Sequence, residues 1–217
     1  MLPISPNAHK AASQATKPSD NKLAKLLLGV LLAFGALYLG ACKDEASAES
    51  SALDSSELDK KSYAGLEDVF ADTSDIRTNG KYMLLVFGAN GCKYCENLKN
   101  DIKNDEGLKA YLKEHFSSYY INTSYRKMHQ FSVGEKGAIK DYALPTRKLA
   151  EIYRIGPTPT LVFATKEGKT IIAYPSYLPP KQLKALLRFV NEGAWEKAGD
   201  DNAKLQQALQ TYLQNEA

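Results

Sequence analysis

Apolar positions along this chain fall into runs and stripes with the two regular periods. Tyr82 to Phe87 is a continuous apolar run, the pattern of a strand buried on both faces. After a loop from Gly88 to Gly91, the spacing of Cys95, Leu98 and Ile102 predicts one face of a helix. Leu108, Tyr111 and Leu112 predict a second helix, and Phe116 to Asn122 a second strand. Upstream, Leu66, Val69 and Phe70 fall at i, i+3 and i+4 and predict a short helix. Thr123 to Leu144 is polar and Tyr-rich, with no period, and reads as an insert. Its Tyr125, Phe131 and Tyr142 are either a partner-docking surface or loop aromatics packed on the body.

Pro145 suits a helix first turn ahead of Leu149, Ile152 and Tyr153. Thr160 to Ala164 and Thr170 to Tyr174 predict a hairpin whose turn carries Gly168. Pro179 and Pro180 open a helix with Leu183, Leu186, Leu187 and Val190 on one face, and Gly193 stops it. A last amphipathic helix carries Leu205, Leu209 and Leu213. The expected class is α/β, a central mixed β-sheet with helices on both faces.

The ends differ from this body. Leu26 to Leu39 is uncharged and follows Lys22 and Lys25, yet it is short of the roughly 20 apolar residues a bilayer span needs. A basic stretch, an apolar run and small residues are the parts of a secretory leader. Lys43 to Ser62 has only Leu53 and Leu58 as large apolar residues, so a flexible tether is expected, with a reach of about 25 Å. The expected organisation is a leader over 1–41, a tether over 42–62, a globular domain over 63–195 and a helical extension over 196–217.

Charge sharpens the picture. Four lysines against Asp20 in residues 1–41 account for the whole net charge of +3. The remainder is neutral, without the basic footprint that a phosphate backbone requires, which argues against nucleic acid. With 44% hydrophobic residues and three cysteines, the chain is neither disordered throughout nor a disulfide scaffold.

Two of those cysteines stand as Cys92-Lys93-Tyr94-Cys95, after a predicted strand and at the mouth of a predicted helix. Unpaired N–H groups and the positive end of the helix dipole stabilise a thiolate at Cys92, and Lys93 pushes the same way. Cys95, on the stripe with Leu98 and Ile102, is expected to be less exposed. Cys92 is then the attacking thiol and Cys95 the resolving one. Three readings compete. A structural disulfide would close a very small loop with little entropic gain. A metal site would have to add His115 and His129 to the two thiols, and Met128-His129 could interest copper. The spacing also occurs by chance.

Together with Ile155-Gly156-Pro157-Thr158-Pro159-Thr160 before a strand, the CxxC pair resembles the thioredoxin superfamily. The resemblance implies a thioredoxin fold with an insert before the helix on the cis-proline side. It implies that Pro159 is a cis-proline beside the sulfurs and that the backbone of Thr158 pairs with a substrate strand. Gly91 to Cys95, Tyr177-Leu178-Pro179-Pro180 and Glu192-Gly193-Ala194-Trp195 are similar to the SoxW-like periplasmic thioredoxins. Leu39-Gly40-Ala41-Cys42 resembles the lipobox of bacterial lipoproteins, which implies that Cys42 receives a diacylglycerol on sulfur and that cleavage makes it the first residue of the mature chain. An uncleaved anchor helix is the alternative, and either places the body outside the cytoplasm at a membrane.

Departures from the cytosolic pattern are specific. Gly91 stands where those thioredoxins have Trp, and Val86 where they have a buried Asp that deprotonates the resolving thiol. Glu96 is a candidate substitute base, or a solvated helix glutamate. The dipeptide Lys93-Tyr94 is neither the Gly-Pro of reducing thioredoxins nor the Pro-His of strong oxidants.

The expected function is an extracytoplasmic thiol–disulfide oxidoreductase, periplasmic, lipid-anchored, monomeric and without cofactor or metal. It would reduce disulfides in exported proteins, such as apocytochrome c or a sulfur-metabolism partner, and draw electrons from a membrane donor of the DsbD or CcdA type. A disulfide oxidant or isomerase is the alternative. A metal or sulfur carrier without turnover is the second.

Overall fold

The computed structural model of this chain describes residues 55–135 and 137–216. The expected leader, the Cys42 lipidation site and the tether up to residue 54 lie outside the described residues.

The apolar run after Lys81 forms the middle of the main sheet. Strands β1 (Phe70–Ala71), β3 (Tyr82–Gly88), β4 (Phe116–Asn122), β7 (Thr160–Ala164) and β8 (Thr170–Tyr174) lie in the order β1-β4-β3-β7-β8. The β1, β4 and β3 strands are parallel, and β7 and β8 run antiparallel to their neighbours. Because side chains alternate along a strand, β3 feeds both faces. Leu84 and Val86 join one buried cluster, while Met83, Leu85 and Phe87 join the other.

Four helices cover the first face: α2 (Lys93–Asn104), α3 (Glu106–His115), α5 (Pro180–Asn191) and α6 (Asn202–Glu216). Their apolar stripes are those read from the spacing, with Leu98, Ile102, Leu108, Leu186 and Leu205 among the buried residues. The C-terminal α6 lies on α5, where Tyr212 meets Phe189 edge to face. Helix α4 (Thr146–Ile152) contributes Leu149 to the opposite face. This is the mixed sheet flanked by helices that the sequence predicts.

Three local expectations need correction. The segment at Leu66, Val69 and Phe70 is no helix: single turns run to Val69, and Phe70 then pairs in register with Ser118. Its periodicity reported burial, since all three side chains are in the core. The aperiodic insert is a second sheet rather than a loop. Strands β2 (Asp75–Arg77), β5 (Met128–Val133) and β6 (Lys140–Pro145) pair in the order β2-β5-β6. Phe131 is buried in this sheet, and Tyr142 packs beside it, so neither forms a free docking surface. Alternation along β5 was hidden because its inward positions include polar His129. Finally, residues 55–61, assigned to the tether, form a helix, α1, whose Asp59 is 1% exposed.

Candidate functional site

Strand β3 delivers the chain to a short loop, and the loop delivers Cys92 to the N-terminus of α2. Cys92 is the N-cap, in extended backbone, and its Sγ accepts the Cys95 N–H at 3.1 Å. The two cysteines form a disulfide with their Cα atoms 5.2 Å apart. Cys95 is completely buried on the Leu98–Ile102 stripe, whereas Cys92 is half-buried. Only Cys92 is therefore open to a large partner. A charge on its sulfur would face a backbone N–H and the positive helix end, an arrangement that favours thiolate.

Gly91 explains one departure noted above. Its φ of +69° lies in the left-handed region, where a Trp would be strained. Loop geometry and residue choice agree, so the change from Trp belongs to the backbone path rather than to the sulfur chemistry alone.

Polar side chains buttress the loop from below. Asn90 N–H donates to Ser124 Oγ at 2.9 Å, and Asn122 Nδ2 donates to both Asn90 Oδ1 and Ser62 Oγ. Lys99, inside α2, donates to the Ser62 carbonyl at 2.7 Å and pairs with Glu96 at 2.8 Å. Glu96 is thus an exposed carboxylate held by Lys99, which matches the solvated reading of that residue. Val86 is buried opposite Tyr120 in the strand register, so the position that holds the Asp in cytosolic thioredoxins is apolar here.

The Thr158–Pro159 peptide is cis, and the Thr158 carbonyl oxygen lies 3.4 Å from Cys92 Sγ. In the disulfide that sulfur has no proton to donate, so this is a contact; a reduced thiol could donate there. Pro159 is buried while Thr158 is half-buried, and Thr160 Oγ1 donates to the Pro157 carbonyl at 2.7 Å. The structure thus brings together four of the residues singled out by sequence: Cys92, Cys95, Thr158 and Pro159.

Sequence spacing missed an aromatic pair at the same helix end. Tyr94 stacks on Tyr177 with ring centroids 6.0 Å apart and planes 23° apart. Tyr177 O–H donates to Asp101 Oδ2 at 2.5 Å, and that bond, with burial second, pushes the phenol up to about 12. The signal available was Asp101 at i+7 from Tyr94, one face of α2; Tyr177 stood in a stretch singled out by resemblance, but nothing local pairs it with Tyr94.

His129, offered to a metal in one reading, lies in the second sheet with its ring nitrogens 2.7 Å from the Thr73 carbonyl and 2.9 Å from Thr146 Oγ1. Among the described residues, no group of three or more His, Cys, Asp or Glu is placed to hold a metal ion. Nor is any described helix long and apolar enough to cross a membrane.

Comparison with known proteins places these features in a family. A family model described as "Thioredoxin-like domain" matches residues 69–191. The chain is 50% identical to a structure described as a thioredoxin-fold protein from Helicobacter pylori. That similarity covers 73% of this chain and 98% of the other, with a TM-score of 0.69. A thioredoxin from Thermus thermophilus is 19% identical over 57% of this chain and 85% of its own, with a TM-score of 0.41. No curated protein matches.

Proposed function

The chain belongs to the thioredoxin-like domain family, and from that premise we propose that it is a thiol–disulfide oxidoreductase that reduces disulfides in exported proteins. The observation that carries the reading is the CxxC disulfide itself. It joins an accessible N-cap sulfur to a buried one, beside the backbone of Thr158.

In the reduced protein the Cys92 thiolate attacks one sulfur of a substrate disulfide. A Cys92–substrate disulfide forms, and the other substrate sulfur leaves as a thiolate that takes up a proton. Cys95, once deprotonated, attacks Cys92 Sγ and releases the second substrate thiol. The protein is left with the Cys92–Cys95 disulfide, two electrons having passed to the substrate. A dithiol donor must restore the reduced state. Thr158 supplies a backbone edge that can pair with an extended substrate segment, and Pro159 shapes the approach to the sulfur.

The setting belongs to the same proposal. Removal of residues 1–41 and lipidation of Cys42 would hold the body on the periplasmic side of a membrane, within reach of a DsbD- or CcdA-type donor. Apocytochrome c or a sulfur-metabolism protein, in the manner of the SoxW-like group, would be its substrate. The apolar run and lipobox-like residues ahead of Cys42 support this reading.

The test is the Cys92/Cys95 reduction potential, read by thiol alkylation of the purified protein in graded dithiol buffers. A reductase should lie near about −270 mV, and a value near about −120 mV would instead make the protein an oxidant. Replacing Cys92 with Ser should abolish reduction of a protein disulfide such as insulin's; retained activity would remove Cys92 from the chemistry.

A further inference from the structure

Tyr94 sits between the two cysteines, in the first turn of α2. Of the aromatic side chains among the described residues, it alone is mostly exposed, at 59%. Single exposed apolar side chains are common on protein surfaces; what sets this ring apart is that it is not loose. One face stacks on Tyr177, and Tyr177 is in turn held by its hydrogen bond to Asp101, seven residues along the same helix. The two rings and the carboxylate form a ladder across α2 and the loop that leads into α5. Rigid, pre-positioned aromatic rings make contacts at low entropic cost, which is why Tyr and Trp dominate recognition surfaces.

From this geometry we infer that Tyr94 and Tyr177 form a recognition ledge beside the redox sulfurs. It selects polypeptide substrates with an aromatic side chain next to the cysteine that Cys92 attacks. The substrate ring adds a third member to the stack while its cysteine faces Cys92. Tyr94 supplies the exposed ring, and Tyr177 is the positioning residue, fixed by Asp101. This inference rests on the oxidoreductase reading and narrows its substrate class.

The experiment measures kcat and KM for reduction of disulfide-bonded peptides by the reduced protein. The peptides differ only at the residue following the cysteine: Tyr, Phe, Ala or Glu. The Tyr and Phe peptides should exceed the Ala peptide in kcat/KM by about three- to ten-fold, chiefly through KM. In Tyr94→Ala that ratio should fall to near one, in Tyr94→Phe it should persist, and in Tyr177→Ala it should drop part of the way. Equal kcat/KM for all four peptides on the unmodified protein overturns the ledge and leaves the oxidoreductase reading standing. So does a ratio that survives in Tyr94→Ala. If the protein reduces neither these peptides nor a small-molecule disulfide, the oxidoreductase reading fails and the ledge fails with it.

Discussion

At the scale of single residues, the redox loop depends on a close approach at its root. Gly88 ends β3, and a Cβ there would run into the Tyr120 hydroxyl and ring. Tyr120 is itself locked, buried against Phe70 and with the Lys99 ammonium 5.4 Å above its ring. Burial pushes its phenol well above the ordinary range, so it stays neutral. Gly88→Ala should therefore lower stability by about 1–3 kcal/mol, the range for overpacking a core. Pairing it with Tyr120→Phe should recover part of that loss, because the clashing oxygen is gone. Urea unfolding of both single variants and the double variant measures the coupling; strictly additive losses would show that the two residues do not compete for space.

At the scale of elements, α1 changes the meaning of the segment before the main domain. Asp59 in α1 pairs with Lys127 at 3.0 Å, and both are almost completely buried. Lys127 also reaches Asp72 at 3.0 Å, and Thr73 Oγ1 donates to Asp59 at 2.6 Å. A buried charge stripped of a partner is expensive, whereas a pair replaced as a unit can be neutral. Asp59→Ala should cost about 2–4 kcal/mol, moderated because Asp72 still faces Lys127. Asp59→Ala combined with Lys127→Met should be less damaging than the sum. A change within about 0.5 kcal/mol for Asp59→Ala, as expected of an exposed tether residue, would refute the structural role of α1. Through Ser62 the same segment touches Asn122, and through Asn122 the loop that carries Cys92.

For the molecule as a whole, these buried polar groups set a pH dependence. His129 Nδ1 lies 2.7 Å from the Thr73 carbonyl, which can only accept, so Nδ1 carries the proton and Nε2 accepts from Thr146 Oγ1. Burial pushes His129 below its ordinary value; the hydrogen bond to the Thr73 carbonyl and the nearby Asp59 and Asp72 oppose this, and Lys127 adds to it. The folded state therefore binds fewer protons than the unfolded chain once pH drops through about 6.5, and stability must fall with it. Burial alone would raise Asp72, but hydrogen bonds from Ser74 and Lys127 outweigh it and hold the carboxyl well below its usual range. That second loss has the same sign and sets in near the ordinary carboxylate range, about pH 4. Unfolding free energies from urea denaturation at pH 7.5, 6.0 and 5.0 should decline at up to about 1.4 kcal/mol per pH unit. The decline above pH 5 should vanish in His129→Asn, and a flat profile in the unmodified protein would contradict it.

Local order was enough for much of this. The Tyr82–Phe87 run, the Cys95–Leu98–Ile102 stripe and the Gly168 turn each express a period or a turn preference within a few residues, and the main sheet and its helices follow from them. The CxxC pair and Thr158-Pro159 were legible for the same reason, since their residue types stand together in short motifs. What the tertiary structure alone decided are pairings between residues far apart in the chain. Strand β2 finds β5 across β3, α2, α3 and β4, and the alternation of β5 is masked because polar His129 takes one of its inward positions. Asp59 falls in an expected tether until Lys127 arrives beside it, and Tyr94 is only half of the dipeptide between the cysteines until Tyr177 stacks on it. Periodicity registers which side chains are buried along one element; it carries no record of which distant partner makes that burial affordable.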